Sequence, residues 1–344
     1  MATTQSVNES IGKGYAALGR LGQKRMISIG VLIAVLVAFS IIVAVQHGFT
    51  LFLQRIFDGL SNGFIYAAMA MALVLIYKAT SVVNFAQGEM AMFGTFIAYV
   101  FGHSLGIPTP LAIILAMLAS ALGAAGIERV LIRPFDPRNH LAVTIVTLGL
   151  FLILNSLAGV IWAYDNRAFP SPFPGRNRSF SVLGANLEWA NLFTWLTVLA
   201  AVLLVSLLLS RTKIGLAFRS VSNSLESSEL LGIHIGRTLQ FGWALAAAVG
   251  TLAGTMIART TLLEPNFMGR VLIYSFAAAT LGGLDSLGGA VVAGIVIGLV
   301  QTMSGGYIGF IGSDLAPTVA LVVIVAVLLV RPSGLFGSKR VERV

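Results

Sequence analysis

The sequence contains no cysteine and very little charge. Only 10% of its 344 residues are Asp, Glu, Lys or Arg, whereas 57% are hydrophobic and the mean hydropathy is +0.92. The lack of cysteine excludes disulfides, thiolate catalysis and cysteine-ligated metals. A soluble domain normally carries about 25% charged residues, so this chain cannot cover a water-exposed surface. The composition therefore predicts a protein that lies in a lipid bilayer.

Motifs for catalysis and cofactor binding are also missing. The four histidines are scattered without an i,i+4 pair, and no Walker A lysine motif or Rossmann glycine fingerprint occurs. Six ionisable residues lie near predicted span ends rather than at mid-membrane: Asp58, Lys78, Glu89, Glu128, Asp285 and Asp314. No relay of buried acids for proton coupling is therefore visible. The chain is not predicted to be an enzyme, and no cofactor or metal is expected on it.

Ten apolar runs predict helices that cross the bilayer, which requires about 20 residues each. They lie at 27–45, 56–77, 82–102, 109–131, 141–163, 191–210, 239–259, 270–284, 287–304 and 314–330. The region 270–304 could instead be one broken re-entrant element. The sequence thus predicts an all-α fold, a polytopic transmembrane bundle of about ten helices that includes short or broken ones.

The net charge of +9 comes mainly from Lys and Arg at the ends of apolar runs, which is typical of topology signals and not of a nucleic-acid surface. Basic residues at 13–25, in the loop 211–237 and in the tail predict cytoplasmic N and C termini. The predicted organisation is a cytoplasmic tail at 1–26, a transmembrane domain at 27–334 and a cytoplasmic tail at 335–344. The loop 164–190 is predicted to lie outside, with a proline-rich extended segment followed by a short hairpin around Gly184.

Glycines recur at four-residue spacing in three of the predicted spans. The pairs are Gly59 and Gly63, Gly250 and Gly254, and Gly294 and Gly298. Because small residues let helix backbones approach closely in lipid, these pairs predict helix packing and not a functional site.

Two segments interrupt the apolar pattern, one in each half of the chain. They are Val83–Glu89 and Leu281–Ala290. Interrupted helices at matching positions often surround the permeation path of a transporter. A tight turn between two helices explains each segment equally well, so both interpretations stay open.

The basic loop 211–237 contains the most informative polar segment. Residues 222–232 predict a short helix with Ser222 or Ser224 as its N-cap and Gly232 as its C-terminal glycine. Such a helix could dock into a partner protein, or it could be a solvated connector.

Several motifs in order resemble a known family over nearly the whole chain, from about Gly59 to Gly334. They are Gly59-x3-Gly63-x2-Tyr66-Ala67, Asn84-Phe85-Ala86-Gln87-Gly88-Glu89, Thr147-Leu148-Gly149, Arg211-Thr212-x2-Gly215-x-Ala217-x-Arg219, Leu231-Gly232-Ile233, and Leu281-Gly282-Gly283 to Gly288-Gly289-Ala290. Together they resemble the membrane permease subunits of ABC importers for branched-chain amino acids. Gln87 stands where the family commonly has His, and the helix at 27–45 extends the chain beyond many relatives.

The resemblance implies an ATP-driven importer that translocates branched-chain or related neutral amino acids. Urea, amides or another small organic solute remain alternatives within the family, and an ion-coupled secondary transporter is a more distant one. The implied partners are a homologous, non-identical second permease, two cytoplasmic ATPase subunits that bind ATP and Mg²⁺, and a substrate-binding protein. The implied location is the bacterial inner membrane.

The resemblance also implies that 222–233 is the coupling helix that seats in the ATPase. The residues assigned to this role are Arg219, Glu226, Glu229, Leu230, Leu231 and Gly232. A neutral amino acid needs apolar walls with a few polar groups, including backbone groups freed at glycine breaks. The predicted substrate path therefore includes Asn84, Gln87, Gly88, Asn155, Gly282 and Gly283.

Overall fold

A computed structural model describes residues 48–135, 139–173, 178–309, 312, 315–331 and 334–337. The helix predicted at 27–45, the tail at 1–26 and most of the tail at 335–344 lie outside the described residues. Apart from the hairpin turn at 183–185, the chain from Arg55 onward belongs to one unit, which contains both sites discussed below.

Helices dominate the described part of the chain. The α-helices are α1 Phe49–Thr80, α2 Gln87–Tyr99, α3 Thr109–Ile127, α4 His140–Trp162, α5 Trp189–Arg211, α6 Lys213–Asn223, α7 Leu225–Leu230, α8 Ile235–Ile257, α9 Met268–Gly282, α10 Leu287–Tyr307 and α11 Ala316–Val330. Short π-helical turns at Val100–Ser104 and Glu128–Ile132 extend α2 and α3.

The predicted all-α, polytopic fold is confirmed. Six helices in the described ranges are long and apolar enough to cross a membrane: α1, α3 with its extension, α4, α5, α8 and α10. Each predicted span from 56–77 onward coincides with a helix. The region 270–304 forms two helices, α9 and α10, joined by a turn at 283–286, and not one broken element.

Burial separates central helices from peripheral ones. The most apolar windows of α1 and α8 are 83% and 72% buried, whereas those of α3, α4 and α5 are only 22–28% buried. Because the exposed side chains of these peripheral helices are largely Leu, Ile and Val, their outward faces suit lipid or another apolar surface. The core of the unit therefore lies around α1 and α8.

The glycine pairs pack helices closely, as predicted. A Cβ on Gly63 would lie 2.8 Å from the Ile295 Cα, and one on Gly298 would overlap the Gly63 backbone, so α1 and α10 touch through their main chains. Gly250 and Gly254 of α8 likewise face α2, where a Cβ on Gly250 would lie 3.3 Å from the Ala91 Cβ. Both crossings require small residues.

The loop 164–190 contains the predicted hairpin, formed by β1 Ser179–Val182 and β2 Ala185–Glu188. Its two turn residues, Leu183 and Gly184, both have positive φ (52° and 89°), as a two-residue hairpin turn requires. Arg167, earlier in the loop, pairs with Leu263 through two backbone hydrogen bonds of 2.8 and 3.1 Å. The loop thus meets the segment 258–267 that follows α8.

The two ends of α8 define the two ends of the bundle. The loop 211–237 leads into α8, and the segment 258–267 leaves it after 23 residues, a length of about 34 Å in an α-helix. We call the first end the basic end and the second the opposite end. The topology predicted above places the basic end in the cytoplasm.

Candidate functional site

The first interruption, Val83–Glu89, buries its polar side chains inside the bundle, whereas Phe85 is exposed. The Asn84 Oδ1 accepts a hydrogen bond from the Ala86 N–H (3.0 Å), and its amide donates to the Gln87 Oε1 (3.4 Å). The Gln87 Nε2 donates to the backbone carbonyl of Ala246 (3.0 Å), at the middle of α8. These bonds satisfy polar groups that water cannot reach, so α2 begins near half the depth of the bundle and not at its surface.

Glu89 follows two residues later and is only 4% exposed. The Asn155 Nδ2 of α4 donates to its Oε2 at 3.3 Å. The same nitrogen lies 3.0 Å from the Asn266 Oδ1 and 3.4 Å from the Pro265 carbonyl, and Tyr164 donates to the Asn155 Oδ1 at 3.4 Å. A buried carboxylate, two amides and a phenol therefore meet where α2 and α4 face the segment 258–267.

Glu89 is the functional candidate that the sequence-based site omits. Its position near the start of an apolar run predicts a location near the membrane surface but does not predict its burial. Glu89 is buried because the preceding residues enter the bundle before α2 begins. One sequence signal was available, because Glu89 ends the Asn84–Glu89 segment that interrupts the apolar pattern.

The second interruption forms a tight turn between α9 and α10. The Ser286 N–H donates to the Gly283 carbonyl (2.9 Å), and the Ser286 Oγ caps α10 by accepting from the Gly289 N–H (3.1 Å). The Lys78 Nζ donates to the Asp285 carbonyl at 2.9 Å, which ties this turn to the end of α1.

Lys78 also lines a cavity of about 200 Å³ together with residues of α6 and α7, so the α9–α10 turn lies at the basic end. The residues predicted for the substrate path therefore fall into three places. Asn84, Gln87 and Gly88 lie together at mid-depth, and Asn155 lies beside Glu89. Gly282 and Gly283 lie at the basic end. Their assignment to a substrate path stays a prediction.

The basic loop contains two helices, α6 and α7, instead of the single predicted helix 222–232. Ser224 interrupts them because its backbone is extended and its Oγ accepts from the Ser227 N–H (3.2 Å), which caps α7. At the other end Gly232 has φ +75°, and the Gly232 and Ile233 N–H groups donate to the carbonyls of Glu229 and Ser228. This is the glycine-terminated helix end that the sequence predicts.

Hydrogen bonds and packing fix α7 to the bundle. The buried Ser228 Oγ lies 2.9 Å from the Ser220 Oγ of α6 and donates to the Ser224 carbonyl at 2.8 Å. Phe218 of α6 is buried against α8, where a Cβ added to Gly242 would lie 2.8 Å from its ring. The six-residue α7 is therefore tied to α6, and α6 is packed against α8.

The outer face of α7 is exposed and partly apolar. Leu230 and Leu231 are 89% and 75% exposed, and Glu226 and Glu229 are exposed beside them. We call these four residues the α7 surface. Arg219 contacts the Ser210 carbonyl at 3.5 Å, and Gly232 ends the helix. Two adjacent exposed leucines on a helix outside the spans are typical of a protein-binding surface.

These features define a polytopic membrane protein with a polar cluster inside its bundle and a short, exposed helix at one end. Residues 55–331 match the family described as the permease component of the branched-chain amino acid transport system. The chain belongs to this family of permease subunits.

Two relatives align along almost their whole length. One is the Escherichia coli (strain K12) permease protein LivH of the high-affinity branched-chain amino acid transport system, 28% identical over 311 residues, which covers 86% of this chain and 99% of LivH. The other is the Pseudomonas aeruginosa permease protein BraD of the corresponding system, 29% identical over 308 residues, which covers 85% of this chain and 98% of BraD. Among solved structures, PsaBC from Streptococcus pneumoniae in complex with Fab is similar at a TM-score of 0.46 and 16% identity, covering 86% of this chain and 94% of that one.

Proposed function

We propose that this chain is the membrane-spanning permease subunit of an ATP-driven importer for branched-chain or related neutral amino acids. The observation that carries the proposal is the family match over residues 55–331. LivH and BraD, which align with 85–86% of the chain, are by name permeases for these amino acids. The chain supplies the membrane passage, and separate subunits supply the energy.

The α7 surface is the proposed docking site for an ATPase subunit. Its two leucines offer apolar area to a groove, and its two glutamates offer charge at the rim. The contacts of Ser228 and Phe218 transmit a movement of the ATPase to α6 and α8 without local melting of α7. ATP and Mg²⁺ bind to the ATPase subunits, and this chain holds no cofactor of its own.

The remaining partners follow from the same assembly. A homologous, non-identical permease subunit completes the path, and a substrate-binding protein delivers the amino acid at the opposite end. The exposed apolar faces of α3, α4 and α5 provide surface for lipid and for the second permease. The complex lies in the bacterial inner membrane, with the basic end in the cytoplasm.

Reconstitution of the whole transporter tests the proposal. The full chain is purified with its partner permease and both ATPases, placed in proteoliposomes and supplied with the binding protein and leucine. We expect ATP-dependent leucine uptake and ATP hydrolysis that rises when the leucine-loaded binding protein is added. Uptake by this chain alone, driven by an ion gradient, would contradict the proposal and favour a secondary transporter.

A charge reversal on the α7 surface tests the docking role separately. Glu229→Arg places a positive charge beside the two leucines, and we expect it to weaken copurification of the ATPase and to lower uptake in parallel. Asp165→Arg is the matched control, because this acid is exposed and lies in the loop 164–190 at the opposite end. If both variants bind the ATPase and transport like the wild type, α7 is not the docking site.

A further inference from the structure

The amide nitrogen of Asn155 lies among more hydrogen-bond acceptors than it can serve. Three oxygens surround it: the Asn266 Oδ1 at 3.0 Å, the Glu89 Oε2 at 3.3 Å and the Pro265 carbonyl at 3.4 Å. A primary amide nitrogen carries two hydrogens, so at least one acceptor receives no well-directed hydrogen bond. The three oxygens come from two separate parts of the chain, α2 and the segment after α8.

A primary ammonium group matches this arrangement better than an amide does. It carries three N–H donors and a positive charge. The three oxygens supply three acceptors, and one of them belongs to a carboxylate, which forms the stronger, charge-assisted type of hydrogen bond. The acceptor set is therefore complementary to R–NH₃⁺.

Among the described residues, Glu89 and Glu128 are the buried acids, and they differ in whether a cation pairs with the carboxylate. The Glu128 carboxylate pairs with the Arg133 guanidinium at 2.6 Å. Within the residues described, Glu89 receives a hydrogen bond from Asn155 but forms no ion pair with a Lys or Arg. A buried carboxylate without a cation is costly in a low-dielectric interior, and a cationic ligand would offset that cost.

The cluster becomes more exposed toward the opposite end of the bundle. Asn266 and Tyr164 are exposed, Asn155 is half-buried, and Glu89 lies deepest. Asn266 belongs to the segment 258–267, which the backbone bonds of Leu263 join to the loop 164–190. The Asn155 amide thus lies between the buried Glu89 and the exposed Asn266.

We propose that Glu89, the Pro265 carbonyl and Asn266 form a recognition site for the α-ammonium group of the transported amino acid. The Asn155 amide lies where that ammonium binds and is displaced by it. The inference rests on the proposed function, because it assumes a substrate that carries a primary ammonium group.

Equilibrium binding to the purified transporter tests the inference. The whole complex is placed in nanodiscs without the binding protein, and tritiated leucine is the probe. Unlabelled 4-methylpentanoate, which has the same side chain and carboxylate but no amine, is the competitor that lacks the recognised group. We expect Glu89→Gln to raise the dissociation constant of leucine at least tenfold. The inhibition constant of 4-methylpentanoate should stay unchanged. Glu188→Gln, which removes an exposed acid, should change neither.

A second variant separates recognition from a structural role. Asn155→Ala removes the side chain that competes for the three oxygens, so leucine should bind as tightly as to the wild type or more tightly. If Asn155 instead held the substrate itself, this variant would weaken binding. If Glu89→Gln weakened leucine and 4-methylpentanoate equally, Glu89 would support the fold and not the ammonium.

The outcomes also separate this inference from the proposed function. Leucine uptake by the wild-type complex with unchanged leucine binding in Glu89→Gln would overturn the inference alone. A sodium requirement for leucine binding that disappears in Glu89→Gln would overturn it as well, because the site would then hold a metal cation. Absence of ATP-driven leucine uptake by the wild-type complex would overturn the proposed function, and the inference with it.

Discussion

Replacement of Leu230 and Leu231 by aspartate should separate the permease from its ATPase without unfolding it. The two side chains are 89% and 75% exposed, so they contribute little to the core of this chain. If they enter a groove on the ATPase, each leucine contributes about 1.5–3 kcal/mol by burial of its apolar surface. Their loss together then costs about 3 kcal/mol or more, which corresponds to at least a 100-fold weaker complex. Aspartate adds the cost of placing two charges in an apolar groove.

The assay is a titration of purified ATPase against the immobilised double variant in nanodiscs, alongside the wild type. Leu262→Asp is the control, because Leu262 is 53% exposed and lies in the segment 258–267 at the opposite end. The control should bind the ATPase like the wild type, and all three proteins should have the same melting temperature. Wild-type affinity in the double variant would refute the docking role of α7. A lowered melting temperature in the double variant would show that the two leucines do contribute to the core of this chain.

Three further predictions concern stability. Gly298→Ala places a methyl group against the main chain of α1. We expect the purified chain to lose about 1–3 kcal/mol of stability, measured as a lower melting temperature. In the control Gly288→Ala, the new methyl group meets nothing within 4 Å and should have little effect. Ser228→Ala removes the hydroxyl that joins α7 to α6. If α7 loses about 1 kcal/mol of stability, the hydrogen-exchange rate of its amides should rise roughly fivefold. Unchanged exchange would show that the hydroxyl does not hold the helix. Arg133→Ala leaves the Glu128 carboxylate buried without its cation and should destabilise the folded chain by about 3 kcal/mol. Adding Glu128→Gln to this variant should restore part of the lost stability. A further loss of stability in the double variant would contradict the ion-pair explanation.

Helix positions could be predicted closely because the bilayer imposes a length on each apolar run. The run 109–131 corresponds to a helix with its extension at 109–132, and the run 141–163 corresponds to α4 at 140–162. Similarly, the glycine spacing predicts close helix contacts, because only small residues allow them in lipid. In both cases the signal is local, and the membrane provides the same constraint at every span.

The burial of Glu89 could not be predicted from local sequence. Its burial depends on α4 and on the segment after α8, which lie far from it in sequence. The polarity of Val83–Glu89 is equally consistent with a surface turn, and only the bond from Gln87 to the middle of α8 excludes that interpretation. The cap of α7, Ser224, is one of the two predicted caps, but the sequence does not predict α6, because buried residues such as Phe218 and Val221 obtain their burial from helices elsewhere.

The two candidate sites lie at opposite ends of the bundle but are joined by direct contacts. Behind the α7 surface, the Ser228 hydroxyl of α7 contacts α6, and Phe218 of α6 packs against Gly242 of α8. Four residues further along α8, a carbonyl accepts the hydrogen bond of Gln87, and Glu89 follows Gln87 within the same helix. Each contact is close-packed or hydrogen-bonded, so none of them can absorb a large displacement by itself.

Through these contacts α6, α7, α8 and α2 form one connected set of helices. The second set is α4, whose Trp162 also stacks on Phe96 of α2 at 4.6 Å between ring centroids. The contact between the two sets at the ammonium site is the hydrogen bond from Asn155, which extends from α4 to Glu89 on α2 and to Asn266 beyond α8. A shift of a few tenths of an ångström breaks such a bond, whereas it barely changes an apolar contact. Movement of the ATPase at α7 and binding of an ammonium at Glu89 would therefore act on the same bond, which is the differential contact that a two-state transport cycle requires.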